Sequence, residues 1–174
     1  TGSRRGLETI IESLPHLVKI IPQIRFVIVG RSDNDSSLKQ LVTSLRVEEY
    51  VDFVGWVDVS LFPSYILSST LGVCPIHQNI HHNTTYANKI FQSLAFGKPV
   101  VVSDCEAQMN IVNKFHVGLV FKDRDAKDFA NKIVKLYNDR ELYKTFAQNG
   151  EKVIRKVLNW EKNKRILSDI YDNL

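Results

Sequence analysis

The sequence predicts an α/β fold, a doubly wound parallel sheet covered by helices on both faces. Three observations predict it. Short β-branched or apolar runs alternate along the chain with stretches of helical period. The runs are apolar rather than alternately polar, as strands buried on both faces must be. No internal repeat or low-complexity tract interrupts the alternation, and strands separated by helices imply a parallel sheet.

Taken in order, Leu7, Ile10, Ile11, Leu14, Leu17 and Val18 recur at helical spacing, and Pro15 should bend or shorten their helix. Residues 25–29 form a β-branched strand closed by Gly30, followed by a loop over 31–37 that includes Arg31 and Asp33 and is dense in capping residues. A helix over 37–45 leads to a strand over 50–54 that stops at Gly55 and Trp56. Residues 60–68 read as a short helix with Pro63 in its first turn. A third strand over 71–74 precedes a polar loop from His77 to Thr85. A helix then begins near Tyr86 or Ala87, followed by a buried strand over 99–102, a short helix over 107–114 and a last strand over 118–121. From Asp125 the chain reads as helical to its end, with a break near Asn149 and Gly150.

With 174 residues and 44% hydrophobic content, the chain suits one domain with a real core, spanning residues 1–174. It holds no apolar run of the ~18 residues a membrane span needs, and no charged-then-apolar leader, so a soluble, cytoplasmic chain is expected. Two cysteines, Cys74 and Cys105, are too few for a disulfide framework and read as free thiols of a reducing compartment. The net charge of +4 is spread along the chain rather than blocked, which argues weakly for a polyanionic partner. Two sequons, at Asn34 and Asn83, carry no weight without a leader.

In doubly wound sheets ligands bind outside the carboxyl ends of the strands. The unusual residues sit in those loops, and the densest unit is 83–104. On its helix Lys89 and Gln92 share the polar face, with Ile90, Phe91, Leu94 and Ala95 opposite. A lysine in the first turn gains nothing from the helix dipole there, so it reads as reinforcement of an anion site formed by the helix N–H groups. Asn83, Thr84 and Thr85 are expected to cap this helix. A capped surface helix with a solvated lysine is the plainer alternative.

The segments Arg5-Gly-Leu-Glu8, Phe26-Val-Ile-Val-Gly30, Val51-Asp-Phe-Val-Gly-Trp56 and Lys89 through Asp104, with Ala95-Phe-Gly-Lys-Pro-Val100, keep one order and spacing along the chain. There the chain resembles the Rossmann-like C-terminal, donor-binding domain of GT-B fold retaining glycosyltransferases, glycosyltransferase family four, also called glycosyl transferases group 1. The resemblance implies a domain that binds a nucleoside diphosphate sugar. It also implies an acceptor, a glycan or lipid-linked sugar, taken mainly by a separate N-terminal domain, with Thr1-Gly-Ser3 as the end of this domain's first strand. A chain lacking that partner domain is expected to bind donor without turnover.

The resemblance places Arg5 and Lys89 on the donor diphosphate as electrostatic stabilisers. Gly30 and Arg31 would wall the nucleotide, and Gly55 with Trp56 would meet the base. Trp56 is either a stacking surface or a half-buried aromatic at a strand end. Where many members have two glutamates separated by seven residues, this chain has Thr84 and Gln92. A glutamine amide donates to and accepts from a ribose diol. His82 either bonds a donor sugar hydroxyl or phosphate, or is a solvated loop histidine. His77 and His81 stand four apart, yet the loop offers no acidic or cysteine third ligand up to Lys89, so no metal or cofactor is expected.

The resemblance implies polysaccharide or glycoconjugate biosynthesis, with the longer enzyme touching the inner face of a membrane peripherally. Two other readings compete. A non-catalytic nucleotide-sugar binding or regulatory domain would suit the loss of both glutamates. A nucleic-acid or anionic-membrane binder would use Lys152, Arg155, Lys156, Lys162, Lys164 and Arg165, but the interleaved apolar residues favour an amphipathic helix packed on a domain, and no nucleic acid is expected.

Overall fold

The computed structural model describes residues 5–31 and 34–172, so Thr1-Gly-Ser3 and Asp33 lie outside the described residues. The elements run α1 (Leu7–Leu17), β1 (Phe26–Val29), α2 (Asp35–Ser44), β2 (Val51–Gly55), α3 (Phe62–Ser68), β3 (Gly72–Cys74), α4 (Ile80–Thr84), α5 (Asn88–Ala95), β4 (Val100–Ser103), α6 (Glu106–Phe115), β5 (Gly118–Phe121), α7 (Ala126–Asn138), α8 (Arg140–Lys156) and α9 (Trp160–Asp172). Each predicted strand is present, displaced by no more than a residue at either end.

All described strand pairs are parallel. β1 pairs with β2, Phe26 opposite Val51, and β4 lies between β3 and β5, with Val101 opposite Val73 and Leu119. Among the described residues the ladders form two groups rather than one continuous sheet. A single core joins them, because Phe26 and Ile28 of β1 pack in one cluster with Val101 and Phe121.

The two-residue period of a strand explains why helices cover both faces. Val101 points into the cluster that holds Ile10, Ile11 and Leu14 of α1 and Phe129 and Ile133 of α7. Val100 and Val102 point the other way, onto Ile90 and Leu94 of α5 and Ile111 and Val112 of α6. All four residues of β4 are buried. β1 departs from the expectation of burial on both faces, since Val27 is 45% exposed.

Two helical expectations are corrected. The predicted polar loop from His77 to Thr85 contains α4, whose start is capped by the Asn79 side chain accepting the His82 N–H at 2.8 Å. The predicted break at Asn149 and Gly150 is absent, and α8 runs through it. Gly150 serves a close approach instead of a helix end: a Cβ there would stand 3.0 Å from Leu94 Cδ2, so its absence lets α8 lie against α5. Val157 and Trp160, around the α8–α9 junction, border an open groove with Tyr86, Phe91 and Phe115. Leu167, Ile170 and Tyr171 of α9 are exposed. No helix among the described residues is long and apolar enough to cross a membrane.

Candidate functional site

The carboxyl end of β3 is where two helix amino ends and two cations meet. Gly6 precedes α1 in the left-handed region at φ 65, and a Cβ there would come within 1.8 Å of the Pro75 carbonyl oxygen. The amino end of α1 is thereby seated on the segment that leaves β3. Lys89 lies in the first turn of α5. Burial raises the pKa of the Cys74 thiol, while the charges of Lys89 and Arg5 act in the opposite direction. Arg5 is exposed and Lys89 half-buried. Gln92 is exposed on the polar side of α5, whereas Ile90 and Leu94 are buried. Ala95, expected in the buried face, is exposed, and Ser93 is buried in its stead. The reason is steric: Gly72 of β3 lies so close that a Cβ there would stand 2.2 Å from Ser93 Oγ.

The capping expectation for this helix is overturned. Ala87 occupies the capping position of α5 and makes no side-chain cap. Thr84 Oγ1 donates back to the Ile80 carbonyl at 2.8 Å, and the Thr85 hydroxyl donates back to the His81 carbonyl. Both threonines follow a helical turn and satisfy its free carbonyls, which competes with reaching forward. Asn83 Oδ1 accepts the Glu106 N–H at 3.3 Å, at the start of α6. Gln108, fully buried, does the work assigned to the caps. Its Nε2 donates to the carbonyls of His82 and Thr85, at 3.0 and 2.7 Å, and its Oε1 accepts the Ala87 N–H at 3.2 Å.

His82 is not a solvated loop residue, being 7% exposed. Its Nδ1 lies 2.7 Å from the His77 carbonyl oxygen, which only accepts, so Nδ1 carries a proton, and in the tautomer with one N–H it is Nε2 that holds the lone pair. The 2.9 Å approach of Asn79 Nδ2 to Nδ1 is then a contact between two donors, and that amide donates to the His77 carbonyl at 3.3 Å. No buried side-chain nitrogen or oxygen among the described residues is unsatisfied, so Nε2, with no protein partner, opens to solvent as an acceptor.

A second group stands at the end of the β1–β2 pair. The Gly30 N–H donates to the Gly55 carbonyl at 2.8 Å. Arg31 covers Gly55, where a Cβ would meet Arg31 Nε at 3.4 Å. Trp56 is 71% exposed, which removes the half-buried alternative. Gly30, Arg31, Gly55 and Trp56 are thus brought together, His82 lies against His77 and Gln108, and Thr84 and Thr85 turn their hydroxyls into α4.

Sequence reasoning missed the buried polar frame between these loops. His77 Nδ1 lies 2.7 Å from Asp123 Oδ1 and its Nε2 2.9 Å from Glu8 Oε1. Asp123 Oδ2 accepts the Gln78 N–H at 3.0 Å, and Asp104 Oδ1 accepts Gln78 Nε2 at 2.8 Å and the Asp123 N–H at 3.0 Å. The available signal was positional: Glu8, His77, Asp104 and Asp123 each stand just past a strand end or in the first turn of a helix. With both ring nitrogens engaged by carboxylates, His77 is not a free metal ligand.

Comparison with known proteins agrees with this geometry. Residues 2–153 match the family described as glycosyl transferases group 1. An uncharacterised glycosyltransferase of Methanocaldococcus jannaschii is 24% identical over 171 residues, covering 98% of this chain and 42% of that protein. The N,N'-diacetylbacillosaminyl-diphospho-undecaprenol alpha-1,3-N-acetylgalactosaminyltransferase of Campylobacter jejuni is 37% identical over 133 residues, covering 72% of this chain and 31% of that protein. The chain therefore spans less than half the length of these relatives. Two solved structures share the fold: Anabaena HepE in complex with UDP, at TM-score 0.88 and 19% identity, covers 99% of this chain and 46% of that one. The C-terminal domain of a glycosyl transferase group 1 family protein from Francisella tularensis, at TM-score 0.78 and 19% identity, covers 92% of this chain and 83% of that one. With its α/β fold, its strand-end cations and a family match over most of its length, this chain belongs to the glycosyl transferases group 1 family.

Proposed function

We propose that the chain is the nucleotide-sugar-binding, C-terminal domain of a longer two-domain glycosyltransferase, which transfers the sugar to a glycan or lipid-linked acceptor with retention of configuration. One observation carries the reading: Arg5 precedes Gly6, which is seated on Pro75 just past β3, and Lys89 stands in the first turn of α5, which packs on β3. A diphosphate brought there meets two cations and two sets of free backbone N–H groups. As the glycosidic bond breaks, charge builds on the departing diphosphate, and donors already in place stabilise it without reorganising. No metal ion or cofactor enters this reading. The His82 Nε2 lone pair suits a sugar hydroxyl, which donates, better than an ionised phosphate, which only accepts. Gln92 is assigned to the ribose, and Gly30, Arg31, Gly55 and Trp56 to the base side. Thr84 and Thr85 contribute to the site through the backbone they fix, because their hydroxyls are engaged in α4.

The relatives' names support an envelope-glycan setting. They include mycobacterial phosphatidyl-myo-inositol mannosyltransferases and a capsular polysaccharide transferase of Staphylococcus aureus. In this reading the whole enzyme sits peripherally at the inner face of a membrane, in the cytoplasm. The exposed apolar residues of α9 and the groove at Trp160 suit contact with the companion domain, without which turnover is not expected. The relatives are named as transferases, and no observation favours the non-catalytic alternative.

Calorimetric titration of the chain with UDP, GDP and ADP tests the reading. One diphosphate is expected to bind, and Lys89→Ala to weaken it about tenfold, the ~1.4 kcal/mol a charged contact readily supplies. Absence of binding to all three, or equal binding by the variant, would overturn it.

A further inference from the structure

We propose that His77 is held as a doubly protonated imidazolium through the neutral range and is a positioning residue, fixing the amino end of α1 against the loops that follow β3 and β5. The ring is buried, its side chain 9% exposed, and each nitrogen faces a carboxylate oxygen, Asp123 Oδ1 at 2.7 Å and Glu8 Oε1 at 2.9 Å. A neutral imidazole offers one N–H and one lone pair, and ionised carboxylates only accept. A neutral ring would therefore aim a lone pair at a carboxylate oxygen across less than 3 Å. The imidazolium alone satisfies both contacts.

The charged and titratable groups around the ring are few. Glu8 faces it from α1 and Asp123 from the loop after β5, with Arg124 Nε 3.9 Å from Asp123 Oδ2. From the loop after β4, Asp104 accepts the Asp123 N–H, and from α4 the His82 ring donates to the His77 carbonyl. Burial disfavours the charged ring, but the hydrogen bonds and charges of Asp123 and Glu8 outweigh burial and raise its pKa.

The consequence lies at the amino end of α1. Glu8 is in its first turn, Arg5 precedes it, and Gly6 passes so near that a Cβ would stand 3.2 Å from His77 Cε1. Loss of the His77 proton would leave Glu8 and Asp123 facing each other without a cation between them, beside the residues assigned above to the diphosphate. Affinity for an anion there should fall as His77 deprotonates, and this part rests on the proposed function.

Two measurements separate the claims. In ¹⁵N NMR of the 174-residue chain, both ring nitrogens of His77 should keep their protons above neutral pH, and the Gly6 and Leu7 amides should shift with its titration. Glu8→Gln should lower the midpoint of that titration. A neutral tautomer at pH 7, or amides indifferent to the titration, would overturn the proposal. Isothermal titration with UDP, GDP and ADP above about pH 7, where a terminal phosphate is already ionised, reads the consequence on the one that binds. Wild-type affinity should fall about tenfold across the His77 titration, while folded His77→Gln binds weakly with no such step. Wild-type binding that is flat with pH would remove the link between His77 and the anion site. If none of UDP, GDP and ADP binds, the functional reading fails while the NMR result still decides the imidazolium.

Discussion

Gln108 Oε1 accepts the Ala87 N–H at 3.2 Å, so a fully buried side chain of α6 holds the residue at which α5 begins. The same amide donates to the carbonyls of His82 and Thr85. Three backbone groups, one in α4 and two in the segment that leads on to α5, thus depend on one residue. Gln108→Ala should destabilise the fold by about 2–4 kcal/mol, since each buried group left unpaired costs ~1–3 kcal/mol. Urea denaturation measures it, and a loss near zero would mean that water replaces the amide.

Trp56 offers the opposite case. It is 71% exposed, so Trp56→Ala should change stability by no more than about 0.5 kcal/mol. If the indole stacks on a base, nucleotide affinity should fall by about 1–3 kcal/mol in the same variant. Unchanged affinity would remove Trp56 from the site.

The buried imidazolium predicts a sign for the pH dependence of stability. The folded pKa of His77 is raised, by Asp123 and Glu8 acting against burial. Its contribution is therefore complete below the unfolded value of about 6.5 and is lost as pH rises through the higher folded value. The stability advantage of wild type over His77→Gln should be largest in mildly acidic solution and shrink on the alkaline side. Denaturation midpoints across a pH series would show it, and an advantage that grew with pH would contradict it.

Close packing between β3 and α5 gives a fourth test. A Cβ at Gly72 would lie 2.2 Å from Ser93 Oγ and 2.8 Å from Ser93 Cβ. Gly72→Ala should cost about 1–3 kcal/mol by overpacking. Adding Ser93→Gly should recover most of that loss and Ser93→Ala only part, because alanine removes Oγ but keeps the Cβ at 2.8 Å. Thermal denaturation of the single and double variants decides it, and equal rescue by both would place the strain elsewhere.

Much of this was legible in the chain. Val100, Val101 and Val102 announce a strand buried on both faces because an apolar run too short for a helix has no other use for three branched residues. The helical period placed Lys89 in a first turn, with Gln92 beside it and Ile90 and Leu94 opposite, and the structure keeps that arrangement. The threonines failed as caps because a hydroxyl just after a helical turn chooses between the carbonyls behind it and the amides ahead, and nothing local says that Ile80–Thr84 is helical. Gly150 failed as a helix end because its reason lies in Leu94, far away along the chain.

What the sequence determined by itself is therefore what depends on near neighbours: the alternation of strand and helix, the faces of each element, and the place of Lys89 in a helical first turn. What only the tertiary structure decided is the pairing of groups distant in sequence. Glu8, His77 and Asp123 meet because the parallel strands β3 and β5 end on one side of the sheet and Gly6 seats the start of α1 against Pro75 there, and Gln108 reaches Ala87 because α5 and α6 cover the same face. A buried polar atom must find a partner wherever the fold brings one, and no local pattern records which it will be.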